Sequence, residues 1–500
     1  MQNLHNLKLI QQIIAAFLIS LLLAWGVVHI SSLTNHFLIL AAVVLSLIIL
    51  PILIFIAWKL WERFGLNRLL LYAFIVSSFI GPGLISLKVG PISLFPYRLF
   101  LPVALFIFLR SWLKSKNMSL YSKEPVKPVL IFLLTWIAYA ILSLLWVQSL
   151  SDGVKDIFFL ISGIFFIFLF TILFDKKQDY LALLYTWVLV MGFMVAIGYW
   201  NYLTKQQLPV SRLSNMGAYV QHRPTAVFAN ENDYASYLAL SFFFAFAVFH
   251  RYKPGVLRIK PLFIRLVAGF LVVSAIFQIY VSESRANLLS LFLGLVFWFL
   301  FFTKLKEKRY LVILGLIGFT GAYIFLNDLM NGILQKVGSQ IVSAFTSSDN
   351  AVASTDIRIN LLKNAFMFIA DSFGMGIGAG NIEYYMKNFA VLPTDEIVNI
   401  HNWWAEIFVH YGIIIFIGYL LLYLWMIVSL FRLYQNSEHW FDRMTTQALS
   451  TSLVAFSLAS ISPSSFMTLN YSWILVAFAI GYINLRYKNK GKMKELNNNE

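Results

Sequence analysis

Ser354-Thr355-Asp356-Ile357-Arg358, Gly374-Met375-Gly376-Ile377-Gly378-Ala379-Gly380 and His401-Asn402-Trp403-Trp404 punctuate a stretch of mixed polarity, residues 327–404, in a chain that is otherwise mostly apolar. The 500 residues are 60% hydrophobic and only 12% charged, with a mean hydropathy of +0.77. Soluble proteins carry about 25% charged residues, so the composition places this chain in a bilayer. Runs of about 17 or more apolar residues recur, each enough to cross about 30 Å of hydrocarbon. The run over 9–30 is too long, and too clearly the first of a series, to be a cleaved signal peptide; it reads as an uncleaved span. The expected fold class is an all-α polytopic integral membrane protein with about 12–14 transmembrane helices.

Outward from that stretch, residues 1–326 carry most of the spans, 327–404 form a large loop with short helices, 405–485 hold the C-terminal spans, and 486–500 form a basic tail. Two spans are weak: 95–109 is short, and 445–462 is serine-rich and stopped by Pro463. Gly81-Pro82-Gly83 should kink or break the span over 69–87. The net charge of +16 is accounted for by the positive-inside rule rather than by nucleic acid. The basic connections 110–127, 251–265 and 304–309 and the tail Arg486-Tyr487-Lys488-Asn489-Lys490 share one face when both termini lie inside. The connections 204–233, 282–285 and 327–404 then lie outside, away from ATP and nucleotide sugars. An activated substrate used there has to arrive on a lipid. The chain has no cysteine, which excludes disulfides and thiolate catalysis.

Cations are scarce on the outer face. Arg223 precedes a span, Arg285 sits between two spans, and Arg358 opens an amphipathic pattern with Ile357, Leu361, Leu362, Ala365 and Phe366 on one side. Guanidinium is always charged and forks onto two oxygens, so it suits a diphosphate. The alternative for each is to snorkel or to pair with Glu231, Glu283 or Asp356. His401 stands where the polar loop re-enters the apolar sequence, with Asn402 as a cap for the helix that follows. A helix N-terminus disfavours imidazolium, which keeps the ring available as a base near pH 7; the plainer reading is an interfacial polar residue. Trp403 and Trp404 fit an aromatic belt. Glu406 reads as a buried pairing partner. The glycines at 374–380 follow no strand, so they read as a flexible turn rather than a dinucleotide fingerprint or phosphate nest. The eight histidines show no metal-ligand spacing, and no Gly-x-Ser-x-Gly elbow is present. No cofactor is expected.

Arg-Pro-Thr-Ala-x-Phe-x-Asn-x-Asn at 223–232, Ser284-Arg285, Arg358 followed by Gly374-Met375-Gly376-Ile377-Gly378, and His401-Asn402 leading into Glu406 and Tyr411-Gly412-Ile413 together resemble the O-antigen ligase and polymerase superfamily. The resemblance covers about residues 221–418. That family often has glycine where Ala226 stands and proline where Glu231 stands. The resemblance implies a glycosyltransferase-C-like, metal-independent, inverting enzyme of the bacterial cytoplasmic membrane with its site on the outer face. Its substrate would be a glycan on undecaprenyl diphosphate among membrane lipids, with flippase and chain-length proteins of the same pathway as companions. In that reading Arg223, Arg285 and Arg358 neutralise the diphosphate. His401 takes the proton from the attacking hydroxyl, and Asn230, Asn232, Ser284, Asn402 and Glu406 support the site. No metal is involved.

Polymerase is preferred to ligase, because the cysteine-free, Lys/Asn/Ile-rich composition suits a cell without a lipopolysaccharide core, and the chain is similar in character to the superfamily's teichuronic acid biosynthesis members. A transporter or flippase would bury charge in mid-span, whereas the span middles here are nearly free of it.

Overall fold

Residues 66–84, 86–89, 92–114, 126–217, 219–253, 260–325, 354–463 and 465–497 are described in the computed structural model of the chain. They form fourteen α-helices: α1 (Leu66–Ile80), α2 (Pro96–Lys114), α3 (Lys127–Ser143), α4 (Leu150–Leu173), α5 (Lys177–Thr204), α6 (Glu231–Arg251), α7 (Pro261–Val281), α8 (Arg285–Phe302), α9 (Leu305–Phe325), α10 (Ser354–Asp371), α11 (Ile382–Phe389), α12 (Trp403–Gln435), α13 (Trp440–Ala459) and α14 (Asn470–Asn497). Seven of them are long and apolar enough to cross a membrane. The chain is a polytopic helical membrane protein. The spans expected over 9–30 and 36–58, and the loop residues 327–353, lie outside the described residues.

The span expected over 69–87 stops at Ile80, where Gly81 adopts φ +57 and Pro82 removes a backbone donor. An antiparallel hairpin of β1 (Leu87–Val89) and β2 (Ile92–Leu94) follows before α2 begins. It is a small addition to an otherwise helical fold. At the other end, α14 runs on as helix through the basic residues expected to be a separate tail.

The core is organised around α6, whose residues are nearly all buried, and α13 packs against it and against α8. The serine- and threonine-rich α13 is a full helix because it faces protein rather than lipid. Thr446, Ser450 and Thr451 donate to their own helix's carbonyls at 2.6–2.7 Å, and Ser452 donates across to Leu240 O at 2.9 Å. Close helix contact is set by small residues: the ring of Trp473 in α14 covers Gly163 of α4, and Phe243 of α6 covers Gly294 of α8. The outer face of α7 exposes Leu262, Phe263, Leu266, Phe270 and Val273, as a lipid-facing surface should.

Residues 354–402 build a second, smaller core over one end of the bundle, with Ile357, Leu361, Ala365, Phe368 and Ile369 of α10 packed against Ile382 and Met386 of α11 and Val409 of α12. Leu362 and Phe366, expected on the same face, lie beside it and line a groove instead.

Candidate active site

Three connections distant in sequence meet at this end. Asn230 caps α6: its Oδ1 accepts from Asp233 N at 2.9 Å and its Nδ2 donates to Asp233 Oδ2 at 2.8 Å. Two residues on, Asn232 Oδ1 accepts from Ser284 Oγ at 2.8 Å and from Ser462 Oγ at 3.0 Å, and Asn287 Nδ2 donates to Ser284 Oγ at 2.8 Å. Asn232, Ser284, Asn287 and Ser462 thus tie together α6, the α7–α8 turn and the end of α13. Ser284 is the N-cap residue of α8, and its side chain serves this network rather than a cap. The turn itself is tight, with Glu283 at φ +59.

Arg223 donates from Nη2 to Glu283 Oε2 at 2.6 Å and lies 3.9 Å from Glu231 Oε1, which also accepts from Arg212 Nη2 at 2.8 Å. The pairing alternative therefore describes Arg223. Ala226 adopts φ +46, and its N–H donates to Asn201 Oδ1 at 2.9 Å. Glu231 is the first residue of α6, and its carboxylate serves the two arginines.

Arg285 opens α8, exposed, and its guanidinium lies close enough to Arg358 on α10 to hold that group's pKa down, second to partial desolvation. Arg358 is in turn felt by His401. Desolvation pulls the His401 pKa below the ordinary histidine value, the Arg358 guanidinium adds to this, hydrogen bonding to the backbone of Pro463 and Ser462 opposes it, and Arg212 lowers it further. Neutrality was expected from the helix N-terminus; its causes here are burial and neighbouring cations. His401 adopts φ +52, and Nδ1 is buried without a hydrogen-bond partner among the described residues. Arg212, Arg285, Arg358 and His401 form one electrostatic neighbourhood, joined to Arg223 through Glu231.

Asn402 caps α12, its Oδ1 accepting from Trp404 N at 3.1 Å and Ala405 N at 3.2 Å. The two tryptophans do not form a lipid belt. Trp403 is 3% exposed and donates to Tyr419 OH at 2.9 Å, while Trp404 donates to Ser457 O at 3.0 Å, so the pair wedges α12 against its own next turns and α13. Glu406 is buried and accepts from Ser465 Oγ at 2.6 Å.

The glycine run is not a flexible turn. Helix α12 breaks at Gly412 (φ 74, ψ −177), which strips Val409 O and His410 O of their usual partners. Ile377 N and Gly378 N replace them at 2.9 and 3.1 Å, and Ile413 N donates back to Gly374 O at 3.0 Å. On the other side, Tyr139 OH donates to Met375 O at 2.6 Å, Trp146 Nε1 to Gly376 O at 3.0 Å, and Ala379 N to Ser143 Oγ at 3.0 Å. Residues 374–380 are a clasp between the broken α12 and the α3–α4 corner. Their N–H groups are engaged by protein, which also answers the phosphate-nest alternative.

Sequence reasoning missed Arg212, Asn287 and Ser462. Arg212 is, like Arg223, a scarce cation of the 204–233 connection, and Asn287 lies three residues beyond Ser284 on one helix face. Nothing in the local sequence singles out Ser462. Beside Asn402, an apolar groove of about 320 Å³ runs between α10 and α12, lined by Leu362, Phe366, Trp404, Phe408 and Phe416 among others.

The O-antigen ligase family model matches residues 270–420, which hold Arg285, Arg358, the clasp and His401. The chain belongs to this family of membrane proteins of polysaccharide biosynthesis, glycosyltransferase-like at the family level. Over 485 residues it is 31% identical to the teichuronic acid biosynthesis protein TuaE of Bacillus subtilis (strain 168), covering 96% of each chain.

Proposed function

We propose that this protein polymerises oligosaccharide repeat units carried on undecaprenyl diphosphate into a cell-surface polysaccharide of teichuronic acid type, on the outer face of the cytoplasmic membrane. The observation that carries this reading is the placement of a histidine kept neutral by its surroundings among the guanidinium groups of Arg212 and Arg358, with Arg285 beside the latter. His401 accepts the proton of the acceptor sugar hydroxyl. The hydroxyl oxygen attacks the anomeric carbon of the donor glycan, and the bond from that carbon to the diphosphate oxygen breaks with its electron pair on the diphosphate. The configuration inverts, and the products are a longer glycan on one carrier and free undecaprenyl diphosphate. Electrostatic stabilisation of such a leaving group is often the largest catalytic contribution. The apolar groove between α10 and α12 supports the reading, because its rim at Asn402 adjoins His401 and its lining suits the prenyl chain.

The test is the lipid-linked pool of a deletion strain. Single repeat units should accumulate on the carrier; long lipid-linked chains would mean a ligase that hands finished glycan to another acceptor.

A further inference from the structure

Helix α10 ends in a turn that gives an aromatic ring an unusual position. Phe373 N donates to Ala370 O at 3.0 Å and Gly374 N to Ile369 O at 2.9 Å, the paired bonds of a Schellman cap at a helix C-terminus. The residue in the left-handed position of that motif is ordinarily glycine, because a Cβ there crowds the backbone. Here it is Phe373, at φ +52 and 93% exposed. Met375, two residues on, is exposed as well. In water both features are unfavourable, since the backbone is strained and the ring stays hydrated. An apolar medium that takes up the ring offsets the strain.

The surfaces beside Phe373 identify that medium. Gly374 O accepts from Ile413 N of α12 at 3.0 Å, and Met375 O accepts from Tyr139 OH of α3 at 2.6 Å. From that contact α12 exposes Ile414, Ile417, Leu421, Leu424 and Val428, spaced three and four residues apart as one stripe down the helix. Helix α3 exposes Ile141 and Leu142, and Leu145 just beyond its end is 81% exposed. Apolar stripes of this kind face lipid, and the corner at Phe373 continues both of them. Its depth follows from helix geometry. From Ile413 to Arg432, the first cation on α12, unbroken helix runs about 28 Å, against about 30 Å of hydrocarbon. With Arg432 at the inner boundary, Ile413 and the corner bonded to it stand at the outer one. Tyr139 and Trp146, which donate to Met375 O and Gly376 O, are residue types that favour this boundary.

We propose that the Phe373–Met375 corner is inserted among the acyl chains of the outer leaflet, so that α10 is a lid tethered to the bilayer rather than free above it. Insertion of this corner is independent of the transferase reading. Tethering fixes the height of α10 at the membrane, and with it the groove that α10 forms with α12.

The chain has no cysteine, so Phe373→Cys gives a single site for a nitroxide label in the full chain. Electron paramagnetic resonance in nanodiscs of phosphatidylethanolamine and phosphatidylglycerol then reads collisions with oxygen, which concentrates in hydrocarbon, and with a nickel chelate confined to water. Oxygen should outweigh the chelate at least about threefold at position 373, as at Leu421→Cys within the α12 stripe, and the ratio should reverse at Lys387→Cys, exposed on α11. Where Phe373→Cys folds poorly, Met375→Cys carries the same reading. Chelate collisions in excess at 373 would put the ring in water, and suppression of both collisions would put it under protein, such as a second copy of the chain; either result overturns the proposal.

Discussion

Gly376 and Gly412 meet backbone to backbone: a Cβ added to Gly376 would stand 2.6 Å from Gly412 N and 2.6 Å from His410 O. Gly376 also adopts φ +89, so space and conformation both demand glycine. Gly376→Ala should pry the clasp from the break in α12 and cost about 2–4 kcal/mol, read as a lowered thermal midpoint of the purified protein in detergent. An unchanged midpoint would mean that the clasp is not under constraint.

His401→Asn removes the proposed base while keeping a side chain that tolerates the left-handed backbone at φ +52. Polymer formation should fall about 10²–10⁴-fold with membrane insertion unchanged. Wild-type polymer levels in this variant would sink the assignment.

The pH profile follows from the same residue. The neutral ring is the working form, so the transfer rate should fall as pH drops through the His401 pKa, which lies below the ordinary histidine value of about 6.5. Arg358→Gln removes a cation that lowers it, so the acid limb of the rate profile should move to higher pH. A limb that stays in place would show that burial alone sets the pKa.

Arg285→Lys keeps the charge but loses the fork that spans two phosphate oxygens. The rate with a lipid-linked donor should drop by more than tenfold, and full activity would leave Arg285 a structural role.

Ala226→Gly should stabilise the protein. Ala226 is buried at φ +46, a conformation that costs an L-residue roughly 1 kcal/mol. A gain of about 0.5–1 kcal/mol in unfolding free energy, with polymer yield unchanged, is expected; a loss would mean that the Ala226 methyl packing outweighs the strain.

What the sequence made legible were features that local physics decides. The Asn402 cap follows from residue type and position, and the break after Ile80 from Gly81-Pro82. The amphipathic α10 follows from its periodicity, which located Ile357, Leu361 and Ala365 correctly but could not tell that Leu362 and Phe366 face a groove. What stayed hidden depends on tertiary partners. The kink at Gly412 interrupts no apolar pattern, because Ile413, Ile414 and Ile415 continue it, and the missing backbone bonds are supplied from residues 374–378. Trp403 and Trp404 have the composition of a membrane belt, and only the packing shows Trp403 buried and the Trp404 indole N–H bonded to α13. Pairing of Arg223 with Glu231 or Glu283 was one of the readings open in the sequence; that it is shared between both follows from the turn that carries Glu283 to it.

The two acids have a consequence for turnover on the proposed reaction. Glu231 and Glu283 cancel half the charge of Arg212, Arg223, Arg285 and Arg358, leaving an excess of about two positive charges. A diphosphate joined to lipid at one end and sugar at the other carries about two negative charges, so the donor is matched. Once the sugar departs, the freed terminal phosphate gains roughly one more, since its second pKa is near 6. On the proposed reaction the spent carrier would then be held more tightly than the donor it came from, which would make its departure a slow step of chain growth.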